Sequence, residues 1–373
     1  MPSGGQTPHR IYLDDAGSAP VLPEVRAALL DVPAGNASSP HLEGREARAS
    51  LDRARDVAAH SLGAKRTEIT FVSSGTEAVN LALFGAARRL HKRGAIATWA
   101  AEHQAVLACV RRLQADGHEV HIAGVDHEGR ADPDSIATGA ILVSIGLANN
   151  EVGTVQPVAA VIERAHELGA LVHVDACAGP RWIPIPAGAD LVSISGPKLG
   201  AGRGGLLYVK DGTRVDPLLF GGPQEWGRRA GHEDVWAAVA VATALAVCKR
   251  QREARAKTAE VHSLALRQLL AEVGAELTGS NRRLPNFATC AFSGRRGEDM
   301  LLALDLAGIA ASSGSACASG SLDPSHVLLA MGLSLDAALG SLRLTTGYAT
   351  TDEEISRASA TIPSVLKRTA AHA

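Results

Sequence analysis

A single lysine, Lys198, stands between two short apolar runs, residues 191–194 and 205–209, in the stretch LVSISGPKLGAGRGGLLYV. A lysine pinned at a strand end beside glycines loses its flexible solvation. Desolvation lowers an ammonium pKa and yields a free amine able to form a Schiff base. Taken alone, Lys198 reads first as a loop lysine in water, since lysines are rarely buried. Two other features change that reading. Residues 73–76 (SSGT) follow a strand and open a helix, the geometry that holds a phosphate on free backbone N–H groups. The plainer account is a Ser N-cap with Glu77 completing a capping box. Asp175 ends an apolar strand after His173. A carboxylate there can keep a pyridine nitrogen protonated, as an electron sink requires; a helix N-cap or a loop salt bridge is the alternative. Phosphate cradle, strand-end aspartate and lone lysine match the phosphate, ring nitrogen and aldehyde of pyridoxal phosphate.

The elements that must position these residues alternate. Apolar runs at 68–72, 95–99, 119–122, 141–145, 171–174, 191–194 and 205–209 read as strands. Helical patterns at 73–89, 102–115 and 158–168 separate them. Such alternation gives an α/β layer with a largely parallel sheet covered on both faces. In an open sheet of this kind ligands sit outside the carboxyl ends of the strands, where the polar residues above cluster. Further on, residues 235–249 read as an apolar helix and 252–273 as a second, charged one. That change of charge marks a domain join. Residues 286–292, 310–312 and 342–344 read as strands, and 298–307 and 352–366 as helices.

The 373 residues suffice for two domains. A net charge of −2 gives no electrostatic footprint for nucleic acid, and four Trp, three Tyr and five Phe offer few stacking platforms. The longest apolar stretch, residues 235–248, is too short to span a bilayer. The N-terminal MPSGGQTPHR lacks the apolar core of a secretory signal. Five cysteines, Cys109, Cys177, Cys248, Cys290 and Cys317, are scattered without CxxC spacing. That argues against a metal site or a disulfide framework and for a reducing cytoplasm. Cys109, Cys248 and Cys290 sit in apolar runs and read as small buried hydrophobes. Cys177 lies two residues beyond Asp175 and reads as packing. Cys317 differs. Its surroundings, SGSACASGS, are too small to pack a core and can move.

The chain resembles the cysteine desulfurases of the class V aminotransferase superfamily, enzymes of pyridoxal-phosphate fold type I. The resemblance runs from residue 11 to 355. It is carried by YLDDAGSAP, GNASSPH at Gly35, SSGTEAVNLAL at Ser73, AEHQAVL at Ala101 and ANNEVGTVQP at Ala148. HVDA at His173, SGPKLGAGRGG at Ser195, SSGSAC at Ser312 and LRLTTG at Leu342 complete it. It implies a mostly parallel seven-stranded sheet with helices on both faces plus a smaller α+β domain. Residues 19–254 would form the large cofactor domain, and 1–18 with 255–373 the small one carrying the cysteine loop. It implies that Lys198 bonds to the cofactor aldehyde, Asp175 pairs with the ring nitrogen and His103 lies over the ring as a proton-transfer group. Gly75, Thr76 and Ser195 would hold the phosphate, Asn150 the ring hydroxyl, and Arg343 the substrate carboxylate. Asn36 lies on a loop that faces the substrate in the family. Cys317 would be the nucleophile, as a thiolate, that takes sulfur from L-cysteine as a persulfide and leaves L-alanine.

Three positions depart from the family's pattern. Pro197 precedes the lysine where a histidine is usual, Ala178 stands where a glutamine is usual, and His232 where a threonine reaches the partner subunit's phosphate. His232 could replace that contact across a homodimer. The resemblance also implies a sulfur-acceptor protein as partner, among them an iron–sulfur scaffold. Selenocysteine lyase, cysteine lyase or another class V activity is the alternative within the superfamily. A weakly active sulfur-relay or scaffold subunit is the alternative outside catalysis.

Overall fold

The structure is a computed structural model describing residues 10–90, 94–314 and 323–370. In chain order the strands are β1 (Ile11–Tyr12), β2 (Ile69–Val72), β3 (Ala95–Trp99), β4 (Val120–Ala123), β5 (Ala140–Gly146) and β6 (Leu171–Asp175). They continue as β7 (Leu191–Ser195), β8 (Gly205–Val209), β9 (Glu276–Leu277), β10 (Phe287–Ala291), β11 (Ile309–Ala310) and β12 (Ser341–Thr345). Among the described residues seven strands form one sheet in the order β2-β8-β7-β6-β5-β3-β4. Neighbours from β7 to β4 run parallel, and β8 is antiparallel to both β7 and β2. Every residue of β2, β3, β5 and β7 is buried. Their unbroken apolar runs are what a sheet covered on both faces requires.

The helices are α1 (Pro23–Leu30), α2 (Leu42–Leu62), α3 (Gly75–Arg89), α4 (Gln104–Ala115), α5 (Val158–Glu167), α6 (Gly196–Leu199) and α7 (Val235–Glu272). Beyond them lie α8 (Gly297–Leu306), α9 (His326–Ala330), α10 (Leu335–Leu339) and α11 (Asp352–Ala370). One face of the central sheet packs on α2, α5 and the start of α7, through residues such as Leu51, Val161 and Val241. The other packs on α3 and α4 through Leu83 and Val110. A second core surrounds β10 and β12 and includes Ile11 and Leu13 from the N-terminal arm, Leu266 and Leu270 from α7, and Ile362 from α11.

The two helices expected at 235–249 and 252–273 are one, α7, of 38 residues. The residues between them, KRQREAR, are helix formers without glycine or proline, so a change of charge does not interrupt the backbone hydrogen bonds. The helix buries Val241 in the first core and Leu270 in the second. Lys198, expected at a strand end beside glycines, lies on the single helical turn α6, with Pro197 in its first turn and Gly200 as a left-handed cap. That is the usual placing of both residue types.

The edge of β2 is tied to the loop before α7 by a buried pair. Both terminal nitrogens of Arg55 donate to Glu225, each at 2.7 Å, and the N–H of Phe71 donates to the same carboxylate at 2.9 Å. Glu225 and Trp226 hold left-handed backbone angles, φ 48° and 60°. That strain persists because these contacts over-determine it. Glu225→Ala strands a buried guanidinium and is expected to cost about 3–5 kcal/mol, read as a lower denaturant midpoint.

Candidate active site

Strand ends and helix starts meet at one cavity of about 140 Å³ that opens to solvent. Gly75, Thr76, His103, Asn150, Asp175, Ser195 and Lys198 all line it. The position of each follows from the fold. Asp175 is the last residue of β6 and Ser195 the last of β7. Lys198 is two residues into the turn that follows. Gly75 and Thr76 form the first turn of α3, directly after β2. His103 caps α4, and Asn150 lies in the loop beyond β5.

Of the two readings of residues 73–77, the structure shows the Ser N-cap. Ser74 is the N-cap, its hydroxyl accepting the N–H of Glu77 at 3.1 Å, and Glu77 accepts the N–H of Ser73 at 2.8 Å. A helix's first-turn N–H groups have no intrahelical acceptor. The cap takes that of Glu77, while Gly75 and Thr76 lie at the cavity wall. Gly75 has to be glycine. A Cβ there would sit 2.5 Å from Cys177 Sγ and 2.9 Å from Ser195 Cβ. This narrow cradle of helix start, strand-end serine and small side chains fits a phosphate.

Asp175 is 6% exposed, and its Oδ1 accepts the N–H of Cys177 at 3.0 Å. Behind it a fully buried chain crosses the sheet. His173 bonds Ser144 Oγ at 2.9 Å and Ser193 Oγ at 2.7 Å. Burial pulls the His173 pKa down to about 4, so it stays neutral and adds no charge beside Asp175. The His103 pKa is also lowered, by burial first and by Lys198 and His326, with Asp175 opposing. His103 Nδ1 accepts the N–H of Ala105 at 3.1 Å. The proton of the neutral ring therefore sits on Nε2, which is left as the donor.

The deciding observation is the extent of the match to known proteins: the class-V aminotransferase family model covers residues 11–358. The chain belongs to that family. Within it, the chain is similar to the cysteine desulfurases. It is 39% identical to cysteine desulfurase IscS of Dictyoglomus turgidum, over 92% of this chain and 91% of that one. A NifS-like protein of known structure superposes with a TM-score of 0.90 at 30% identity, covering 96% of this chain and all of that one. SspA, solved in complex with cysteine, superposes at 0.77 with 28% identity, over 91% of this chain and all of that one.

The remaining residues expected of a class-V site lie elsewhere in the chain. Arg343 is buried in the middle of β12 and does not line the cavity; its Nη1 donates to the carbonyl of Asn150 at 2.7 Å. Asn36 is exposed between α1 and α2, its side chain accepting the N–H of Ser38 at 2.9 Å. His232 lines a separate cleft with Arg203 and Arg229. Cys317 lies outside the described residues. Of the departures, Ala178 lines the cavity, and Pro197 fits the start of α6.

Two carboxylates beside the site had no role assigned from sequence. Glu102 lines the cavity and Glu151 is buried next to Asn150. Their only signal was adjacency, inside AEHQAVL and ANNEVG, to residues that had one. Glu151 accepts from Ser325 Oγ and lies in contact range of Gly314, so it meets the described chain on both sides of residues 315–322. Burial pushes its pKa up. Burial likewise pushes the Glu102 carboxyl up to about 8, with a hydrogen bond from the Gly146 backbone opposing and Asp175 adding.

A carboxyl that holds its proton more tightly when folded destabilises the fold as pH rises. The penalty is absent below the ordinary glutamate pKa, grows as pH climbs toward about 8, and is constant above. Glu102→Gln is therefore expected to unfold at the same temperature as the parent near pH 4. Its advantage should grow to a few kcal/mol, in order of magnitude, by pH 8. Thermal unfolding midpoints across that range check it.

Proposed function

We propose that this chain is a pyridoxal-phosphate-dependent cysteine desulfurase. It converts L-cysteine to L-alanine and passes the sulfur, through a persulfide on Cys317, to an acceptor protein. The observation that carries the reading is the placing of Asp175, Lys198, Ser195 and the first turn of α3 around one cavity. That donor set suits the group. A carboxylate answers a pyridinium nitrogen, an amine an aldehyde, and a helix start a phosphate.

Bound there, pyridoxal phosphate supplies an electron sink for the substrate α-carbon. The chain's residues do the rest. Lys198 would hold the group through its amine. Asn150, on the cavity wall, would orient it by a hydrogen bond. His103 hands a proton on from Nε2. The Cys317 thiolate attacks the substrate sulfur, so an S–S bond forms as the C–S bond breaks. The electron pair stays on the substrate carbon, which takes a proton to become the methyl group of alanine. The four cysteines among the described residues are poor substitutes. Burial pushes the thiol of Cys109 up to about 12 and that of Cys248 up to about 11, and raises Cys290 and Cys177 too. A thiol so held does not supply a thiolate near neutral pH.

The large unit, 19–254, holds the cofactor in this reading, and 1–18 with 255–373 carries Cys317 and Arg343. Two copies pair. His232 and Asn36 then serve the neighbouring subunit's site. Support comes from exposed Leu219, Phe220, Trp226 and Trp236 around the His232 segment, an apolar surface suited to a second copy. Among the described residues no helix is long and apolar enough to cross a membrane. The scattered cysteines suit a reducing cytoplasm.

The test is product balance. The cofactor-loaded protein given L-cysteine and a reductant should release alanine and sulfide in equal amounts. Pyruvate and ammonia in place of alanine would replace this reading with a lyase.

A further inference from the structure

We infer that Asp14 is a positioning residue that keeps Arg343 back from the cavity, so that an incoming carboxylate must compete with Asp14 for the guanidinium. The inference rests on the proposed role of Arg343 as receiver of the substrate carboxylate.

The adjacent carboxylates of the N-terminal arm serve different elements. Asp15 pairs with Arg181 at 2.7 and 2.9 Å. Asp14 Oδ1 takes Nη2 of Arg343 at 2.9 Å. The arm is fixed along β12, where Thr345 N donates to the Leu13 carbonyl at 2.7 Å and Asp15 N to the Thr345 carbonyl at 3.3 Å. The Asp14 carbonyl accepts the N–H groups of Gly17 and Ser18. The turn so made brings Gly17 against the carboxylate, where a Cβ would lie 2.5 Å from Asp14 Oδ2. The backbone thus aims Asp14 at Arg343 from a rigid turn.

Arg343 is 4% exposed and held on two sides. Nη2 goes to Asp14 and Nη1 to the carbonyl of Asn150, a residue of the cavity wall. Its Nε is buried and has no acceptor among the described residues. A buried guanidinium with an unused N–H next to an amino-acid site has capacity for one more anionic acceptor. Asp14 already supplies one negative charge there. A second carboxylate is repelled by it at close range and must share or displace it. The asymmetry favours this exchange, since the Asp14 side chain is 26% exposed and can re-solvate while Arg343 cannot. Removing the Asp14 charge leaves Nη2 of Arg343 without its carboxylate acceptor, a state that a carboxylate ligand relieves.

The experiment compares two ligands on the cofactor-loaded protein by titration calorimetry. L-alanine carries the carboxylate and has no sulfur to lose; 2-aminoethanethiol keeps the amine and thiol and lacks the carboxylate. In Asp14→Asn the Kd for L-alanine is expected to fall about tenfold or more, the scale at which close charge pairs couple. That for 2-aminoethanethiol should stay unchanged. Asp14→Ser is the second variant and should move the alanine-to-aminoethanethiol ratio the same way. Equal or weaker alanine binding in these variants, relative to 2-aminoethanethiol, overturns the inference. Arg343→Gln separates the two layers. If it leaves alanine binding unchanged, the role of Arg343 itself has failed. If it weakens alanine selectively while the Asp14 variants do not tighten it, only the role of Asp14 has failed.

Discussion

Replacing Lys198 with alanine is expected to lower alanine formation from cysteine about a thousandfold or more, the scale on which removal of a covalent-catalysis group acts. The fold should survive. Lys198 is half-buried on the one-turn helix α6, whose ends are fixed by Pro197 and by Gly200 at φ 84°. Alanine suits a helical position, and among the described residues no hydrogen bond or ion pair of Lys198 holds another element. A change within about 0.5 kcal/mol of stability is expected, as for substitutions that touch no packing or network. The loss of rate with stability kept is the signature. The variant should also bind cofactor reversibly, so that gel filtration strips it. Unchanged turnover in Lys198→Ala would remove the lysine from the mechanism.

Cys317→Ser is expected to abolish both persulfide and alanine. A serine hydroxyl ionises far less readily than a thiol and does not attack a thiol sulfur near neutral pH. Rescue from within the described chain is not expected, because its four cysteines are kept protonated by burial. Cys177 is the closest test of that statement. It lines the cavity, yet burial and the neighbouring Asp175 carboxylate both raise its thiol pKa, with Lys198 opposing. Persulfide is read by mass spectrometry of the intact protein after one turnover, and alanine by amino-acid analysis. Alanine release at the parent rate from Cys317→Ser would mean that sulfur leaves without a protein nucleophile.

Much of the sheet was legible in the sequence because each strand is a continuous apolar run between turn residues. LVHVD and LVSIS are such runs, and because they lie side by side in parallel the residues at their carboxyl ends, Asp175 and Ser195, fall near one another. The junction within α7 reads as a break in the sequence because the composition changes there from apolar to charged. Nothing in KRQREAR stops a helix. The resemblance implies Arg343 and Asn36 at the substrate and His232 at a partner subunit's phosphate; within one chain none of the three lines the cavity. Composition does not reveal which carboxylate an arginine meets first. The same limit hid Glu102 and Glu151. Each sits beside a residue with an assigned role, but the burial that raises its pKa arises only from tertiary packing. Asp14 was visible as half of an acidic pair. That its partner is a strand residue more than three hundred positions away follows from the arm lying along β12.

The most direct test of the account is to reduce the cofactor-loaded protein with borohydride, digest it, and locate the modified lysine by peptide mass spectrometry. The account predicts one modified peptide, containing Lys198, and none from the Lys198→Ala variant. The reduced group on a different lysine, or no modified peptide from protein saturated with pyridoxal phosphate, would contradict it.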